Sequence, residues 1–210
     1  MTGVRSARRI VTEQIESRLL LVTSNPCGRD ATPLRLGRRL AEGLVASHPG
    51  RALVVRDLDR PPQVFAAAAA AERSPDTAAA RAAALAQSGA CLDELFDADV
   101  VVLAAGVTSR SLSTSLKAWF ERVMLPELTF AYRHGRVEGL LHGKKVYVVF
   151  GVSRDDPGPA SQADDFHEEY LRLMLKIMGL TQVEVIRTDD GSGDGSGAWD
   201  KVAAIVEDSL

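Results

Sequence analysis

The chain has 210 residues, 46% of them apolar and 25% charged, with a formal net charge of −3, which bounds it to one ordinary globular domain with a sizeable core. The slight acidity excludes a general nucleic-acid binder, whose domain carries a strong basic excess. Two cysteines, Cys27 and Cys91, give neither a disulfide framework nor a metal spacing, no apolar run approaches the roughly 18 residues of a membrane span, and the N-terminus lacks an apolar signal segment, so a reduced cytoplasmic setting is expected.

Residues 1–17 are polar with scattered apolars and a short basic cluster, Arg5, Arg8 and Arg9; they read as an N-terminal extension to a single domain over 18–210. Leu19 to Thr23 is a short apolar run closed by Ser24, Asn25 and Pro26, a first strand buried on both faces. The spacing of Leu34, Leu36, Leu40, Leu44 and Val45 predicts a helix with Thr32 as N-cap, Pro33 in its first turn and His48-Pro49-Gly50 at its end. Ala52 to Val55 predicts a second strand. The alanine run from Ala66 to Ala71 has high helix propensity, Ser74-Pro75 interrupts it, and a further helix is expected over 76–97.

Asp99 precedes a third strand, Val100 to Ala105. A polar loop from Gly106 to Ser113 leads into a helix over 114–124 with Leu116, Trp119, Phe120 and Val123 on one side. Phe130 to Lys145 reads as a hairpin-like excursion, and Lys145 to Phe150 as the fourth strand. Gly151 to Ala163 is a long polar loop. The helix after it, over 164–178, places Phe166, Tyr170, Leu173, Met174 and Ile177 at core spacing, with Gly179 as its cap. Val183 to Ile186 is the fifth strand; Gly191 to Gly197 is flexible by composition, and a last helix covers 198–208.

Strands alternating with helices predict an α/β three-layer sandwich: a five-stranded parallel sheet with helices on both faces. The expected strand order is 2-1-3-4-5, the flavodoxin-like order. A ligand would bind outside the carboxyl ends of the strands, at the switch point beside strand one.

The stretch from Ala104 to Lys117 reads AAGVTSRSLSTSLK. It aligns without a gap to a pattern Ala-Ala-Pro-Met-Tyr-Asn-Phe-Asn-Ile-Pro-Ser-Gln-Leu-Lys. Thr129-Phe130-Ala131-Tyr132, Glu138-Gly139-Leu140-Leu141, Gly143-Lys144-Lys145, Tyr170-Leu171, Gly179-Leu180-Thr181 and Val183-Glu184 follow the same pattern family. On these residues the chain, over roughly 19–190, resembles the flavodoxin-like FMN-dependent NAD(P)H reductases of the azoreductase and quinone-reductase group. The resemblance implies FMN as cofactor, NAD(P)H as electron donor and a ping-pong route to a quinone, azo or related conjugated aromatic acceptor. It also implies a homodimer with the pocket at its interface.

By that resemblance three loops hold the flavin. The first would cradle its phosphate with Ser24, Gly28, Arg29 and Thr32 at a helix N-terminus. The family's second and third serines fall here on Ala31 and Pro33, Pro33 has no N–H to donate, and Asp30 adds a negative charge that Arg29 or Arg35 would have to offset. An ordinary strand-to-helix turn explains the same residues. The second loop would pack on the ring through Val107, Thr108, Ser109 and Arg110. An arginine there stabilises a reduced flavin anion, binds an acidic group, or faces solvent. The third would use Gly151, Ser153 and Arg154, but the family's Gly-Gly is missing and its Ser-Arg pair is displaced by two positions. Phe130 and Tyr132 would line the substrate pocket, or pack a surface excursion. No catalytic acid or base is identified; Arg110 and Tyr132 are the pocket candidates.

These departures leave a second reading open: a flavodoxin-like protein that has lost FMN and serves as a non-redox enzyme or small-molecule binder in a specialised pathway. Asp164, Asp165, His167, Glu168 and Glu169 cluster, but at a helix start, where acids complement the dipole. Ser109, Ser111, Ser113 and Ser115 form no nucleophile elbow. Cys27 has no base beside it, and neither His134 nor His142 is assigned a role.

Overall fold

The computed structural model describes residues 16–25, 28, 30–59, 89–108, 111–152, 162–188 and 196–210. In chain order the elements are β1 (Ser17–Ser24), α1 (Thr32–Ala46), β2 (Arg51–Asp57), a helix α2 over 89–97, β3 (Val100–Thr108), β4 (Ser111–Leu112) and α3 (Thr114–Val123). They continue with β5 (Phe130–Arg133), β6 (Arg136–Gly139), β7 (Lys145–Val152), α4 (Gln162–Ile177), β8 (Gln182–Arg187) and α5 (Ser196–Glu207). The alanine run Ala66 to Ala71 lies outside the described residues, as does the first part of the helix expected over 76–97.

The main sheet runs β2-β1-β3-β7-β8 with every pair along that path parallel, the expected order. Alternation along each strand divides its side chains between two cores. Leu20 and Val22 of β1, Val101, Leu103, Ala105 and Val107 of β3, and Val146, Val148 and Phe150 of β7 belong to one core, with α2, α3 and α4 packed on it. Leu19 and Leu21, Val100, Val102 and Ala104, and Tyr147 and Val149 belong to the other, covered by α1 and α5. Burial on both faces explains why these strands read as unbroken apolar runs. At about 1.5–3 kcal/mol per fully buried Leu or Val, this double burial is the main stabilising term.

Four expectations change. β3 does not end at Ala105 but runs to Thr108 and doubles back as β4, Val107 pairing with Leu112 and Thr108 with Ser111. The alternation continues because Val107 is fully buried and Leu112 nearly so. β7 likewise continues through Gly151 and Val152, which the sequence pattern assigned to a loop. The inward face of α4 is rotated from the expected one: Leu171, Leu175 and Met178 are in the core and the expected Tyr170 and Met174 pack against it, whereas Phe166 and Leu173 are 62% and 52% exposed. The helix carries apolar residues on two faces, and periodicity alone does not say which one the sheet takes. Finally, α5 starts at Ser196, so the end of the glycine-rich segment is helical.

Helix α1 lies unusually close to the sheet. A Cβ on Gly37 would stand 2.5 Å from the Cβ of Ala104 on β3, so only glycine allows this approach. The β5–β6 hairpin turns through His134 and Gly135, with φ of 52° and 73°, the left-handed pair that matches strand twist. Thr129, fully buried, holds the hairpin to the exit of α3 by donating to the Val123 carbonyl at 2.7 Å and accepting from the Leu125 N–H at 3.0 Å.

Candidate functional site

At the carboxyl ends of β1, β2 and β3 the apolar rows give way to polar side chains. Ser24 ends β1 and continues the row of Leu20 and Val22, so its hydroxyl lies on the α3 side of the sheet and is fully buried. There it meets Ser113, the N-cap of α3, whose oxygen accepts the Leu116 N–H at 3.1 Å. The Ser24 and Ser113 hydroxyls are hydrogen-bonded, and both reach Ser115, at 2.9 Å from Ser24 and 3.1 Å from Ser113.

Asp59, just after β2, closes this cluster. One carboxylate oxygen accepts the Ser115 hydroxyl at 2.7 Å, and the other accepts the backbone N–H of Asn25 at 2.6 Å. Two further bonds set its position: the Leu58 N–H donates to the Thr23 carbonyl at 2.9 Å, and the Asp59 N–H to the Asp57 carboxylate at 3.1 Å. Asn25 bridges to the other side. Its amide donates to the Gly28 carbonyl at 2.7 Å and packs on Gly106, where a Cβ would fall 2.2 Å from Asn25 Oδ1. Gly106 is therefore required by a side chain of this chain.

The direction of these bonds follows from counting hydrogens. Ser115 gives its only hydroxyl hydrogen to Asp59, because a carboxylate can only accept. The three contacts among Ser24, Ser113 and Ser115 are then served by two hydrogens, those of Ser24 and Ser113. At most two of those three contacts can therefore be hydrogen bonds at one time.

The phosphate cradle expected from Ser24, Gly28, Arg29 and Thr32 is thus divided. Ser24 is engaged on the α3 side. Thr32 is not the N-cap but the first residue of α1, because the helix begins one residue earlier than expected; Ala31 occupies the cap and supplies no side-chain bond. Pro33 lies in the first turn, and the Leu34 N–H turns back to the Ala31 carbonyl at 3.0 Å. Although Asp30 precedes the cap residue Ala31, no acidic residue sits in that first turn. Gly28 beside it has φ of 120° and open space where a Cβ would be. An uncapped helix end next to open backbone at the switch point fits the phosphate ester of FMN. The Arg35 guanidinium lies over the Trp199 ring, 5.5 Å from the centroid.

Among the ring-binding candidates, Val107 has its side chain in the core, so only its backbone remains to face a ligand. Thr108 is the last residue of β3. Gly151 sits on β7 with Thr188 Oγ1 only 1.8 Å from where a Cβ would be, so its bareness serves the β7–β8 contact. Arg29, Ser109, Arg110, Ser153 and Arg154 lie outside the described residues, as does Cys27. Phe130 is buried, and Tyr132 meets it edge-on at 5.6 Å while remaining 70% exposed. Of the acidic cluster, His167 is buried and Glu168 pairs with Arg172 at 2.8 Å. Among the described residues no three potential ligands are placed to hold a metal ion, and no helix is long and apolar enough to cross a membrane.

Asp59, Asn25 and the Ser115 link were not singled out by the sequence pattern. Asp59 follows a strand that the 2-1-3 order places beside β1, and that adjacency was the available signal. Ser113 was visible as a serine one residue before a predicted helix.

Comparison with known proteins adds four findings. A family model described as "Flavodoxin-like fold" matches residues 17–208. The chain is 37% identical over 193 residues to an FMN-dependent NADH:quinone oxidoreductase of Mesorhizobium japonicum, covering 90% of each chain. It is 35% identical over 198 residues to FMN-dependent NADH:quinone oxidoreductase 1 of Burkholderia lata, covering 91% of this chain and 93% of that one. In structure it resembles an FMN-dependent NADH-azoreductase of Bacillus anthracis solved with FMN, with a TM-score of 0.75 at 15% identity over 91% of this chain and 98% of the other. That likeness speaks for the fold.

Proposed function

The chain belongs to the flavodoxin-like fold family, and from that premise we propose that it is an FMN-dependent NAD(P)H oxidoreductase acting on quinone, azo or related conjugated aromatic acceptors. The observation that carries this reading is the uncapped N-terminus of α1 beside Gly28, at the strand ends where such folds bind ligands. The relatives named as FMN-dependent NADH:quinone oxidoreductases, which this chain matches along most of its length, support it.

In this reading α1 and the Thr32 backbone hold the phosphate end, with Gly28 letting the chain approach it closely. The backbone of Val107 and Thr108 and the strand β7 end at Gly151 line the ring's side of the crevice, with Ser109, Arg110, Ser153 and Arg154 as proposed ring contacts. Phe130 and Tyr132 flank the acceptor. When bound, FMN accepts hydride equivalents from the nicotinamide and passes electrons to the acceptor. The protein's part is to bind, orient and exclude water, and no side chain is required as acid or base. Tyr132 and Val137 of the hairpin and Phe166 and Leu173 of α4 are exposed apolar residues on two elements that pack together. We assign this face to a homodimer, to be checked by sedimentation equilibrium. A cytoplasmic setting goes with the reading.

The test is the absorbance spectrum of the purified protein, then FMN titration and NADH oxidation with a quinone. A yellow protein, or saturable micromolar binding with quinone-dependent turnover, is expected. A colourless protein that binds no FMN at high concentration refutes the proposal. It would favour the second reading, a flavodoxin-like protein that has lost FMN, which the internal use of Ser24 by Ser113, Ser115 and Asp59 supports.

A further inference from the structure

We propose that Gly139 is a positioning residue: its crossing over Gly179 fixes the β5–β6 hairpin on the end of α4 and thereby places Phe130 and Tyr132 beside the acceptor. The inference rests on the flavin reading and deepens it, because it names what holds the acceptor side of the crevice in place.

Helix α4 ends in a left-handed turn. Gly179, with φ of 93°, donates its N–H to the Lys176 carbonyl at 3.0 Å, and the Leu180 N–H reaches back to the Leu175 carbonyl at 3.0 Å. The Met178 carbonyl, an orphan acceptor at the helix end, takes the N–H of Leu141, just past β6, at 2.8 Å. The chain crosses the same helix end at Gly139. A Cβ there would stand 2.0 Å from the Gly179 nitrogen, 2.3 Å from its Cα and 2.5 Å from the Met178 carbonyl carbon. A Cβ on Gly179 would in turn stand 2.8 Å from the Leu141 oxygen and 2.9 Å from the Gly139 carbonyl carbon. Backbone lies directly on backbone, and neither glycine can carry a side chain without parting the two segments.

The register turns this crossing into a constraint on the aromatic pair. Gly139 is directly opposite Phe130, and Val137 opposite Tyr132, so these four residues share one face of the hairpin. It is the face from which a Gly139 side chain would point at the end of α4. Ala131, on the other face, is fully buried, so a shift toward that side meets packed atoms. Tyr132 is 70% exposed and meets the edge of Phe130 at 5.6 Å, and the hairpin backbone sets where it stands. Non-bonded carbons need roughly 3.5 Å between them, so a methyl group on Gly139 forces a displacement of roughly 1.5 Å. A misplacement of about 1 Å at a reacting site costs up to about a hundredfold in rate.

Gly139→Ala, Gly179→Ala, Tyr132→Ala and the combination of Gly139→Ala with Tyr132→Ala are compared with the wild type. Each is first checked for folding by circular dichroism and for FMN affinity by fluorescence quenching. Turnover with NADH is measured with naphthoquinone, which must stack in the pocket, and with ferricyanide, which takes electrons from reduced flavin without stacking. In a ping-pong scheme kcat/KM for the acceptor reports the oxidative half-reaction alone. Gly139→Ala is expected to lower kcat/KM for naphthoquinone at least about tenfold, with ferricyanide kcat/KM and FMN Kd within about twofold of the wild type. Gly179→Ala, whose Cβ would meet the chain at 2.8 Å rather than 2.0 Å, gives a smaller loss in the same direction and keeps the test open if Gly139→Ala does not fold. In the Tyr132→Ala background, Gly139→Ala adds less than about twofold, because it acts through that ring. A naphthoquinone-to-ferricyanide ratio within about twofold of the wild type in a folded glycine variant, or a loss fully additive with that of Tyr132→Ala, overturns the positioning role and leaves the flavin reading standing. Failure of both glycine variants to fold overturns it too, since the crossing then serves stability alone. A wild type that binds no FMN or turns over no quinone refutes the flavin reading itself, and this proposal with it.

Discussion

Replacing Gly37 by alanine tests how α1 is held against the sheet. Helix propensity alone favours the change by about 1 kcal/mol, since glycine is the worst ordinary residue inside a helix. The structure opposes it. The new Cβ would lie 2.5 Å from the Ala104 Cβ, 3.7 Å from the Ala104 Cα and 3.8 Å from Leu21 Cδ1. The nearest atom is a β-carbon fixed to a central strand, so no rotamer relieves the overlap, and α1 must move outward by about 1 Å. Overpacking costs roughly 1–3 kcal/mol, and a clash with a carbon that no rotamer can move falls in the upper part of that range, about 2–3 kcal/mol. Set against the propensity gain, the net is a loss of about 1–2 kcal/mol. In urea unfolding followed by circular dichroism, with a slope near 2 kcal/mol/M, the midpoint falls by roughly 0.5–1 M. Ala104→Gly in the same chain removes the opposing carbon, so the double variant should be more stable than the sum of the two single changes by at least about 1 kcal/mol. A Gly37→Ala protein as stable as the wild type, or a double variant that is simply additive, refutes the close-approach argument.

Three further outcomes follow from named contacts. Ser113→Ala removes the N-cap bond to the Leu116 N–H and a partner of Ser24 and Ser115; a loss of about 1–2 kcal/mol is expected in the same unfolding assay, largely restored by Ser113→Thr. Gly106→Ala drives a methyl into the buried Asn25 amide, 2.2 Å from its oxygen, and should cost about 1–2 kcal/mol by displacing it from the Gly28 carbonyl. Burial raises the pKa of the Cys91 thiol, and of the Tyr147 and Tyr170 phenols, above their ordinary values. The folded state therefore keeps protons that the unfolded chain loses. This stabilisation is complete below the unfolded pKa values and is lost as pH rises through the folded ones. Unfolding free energy should fall from about pH 8.5 upward, and less steeply between about 8.5 and 10 in Cys91→Ala; equal slopes would show that the thiol does not contribute.

The strands could be read from the chain because each has two buried faces. Leu19 to Val22 and Val100 to Ala105 are continuous apolar runs for that reason, and alternation with helical segments is enough to call for a parallel sheet. Element ends were less legible. β3 and β7 run past the last obvious apolar residue because Gly106 and Gly151 are strand positions, each held bare by a neighbour's side chain. A glycine in sequence reads equally as a loop or as a close approach, and only the partner, Asn25 or Thr188, decides. The face of α4 was legible only in part for a related reason. Tyr170 and Met174 pack on the core as their spacing suggests, but Phe166 and Leu173, at the same spacing, face outward, and Leu171, Leu175 and Met178 take the centre of the contact.

The candidate site was the least legible part, and the reason is distance along the chain. Ser24 and Ser113 are 89 residues apart, and Ser115 and Asp59 are 56 apart. Each is an unremarkable polar residue at the end of a strand or the start of a helix. The four come together because the register sets Thr23 beside Asp57 and Ser24 beside Ala105, so that residues just beyond those pairs share one crevice. The register is specified by apolar residues buried deep in the sheet, and the strand-end residues add nothing to it. The polar ends are accordingly free to change while the frame stays. A family resemblance is strongest where packing dictates the residue and weakest where the ligand is chosen. Here the frame around Ala104, Leu116 and Lys117 follows the pattern, while Asp59 and Ser115, joined by a hydrogen bond at the strand ends, lie where packing leaves the residue open.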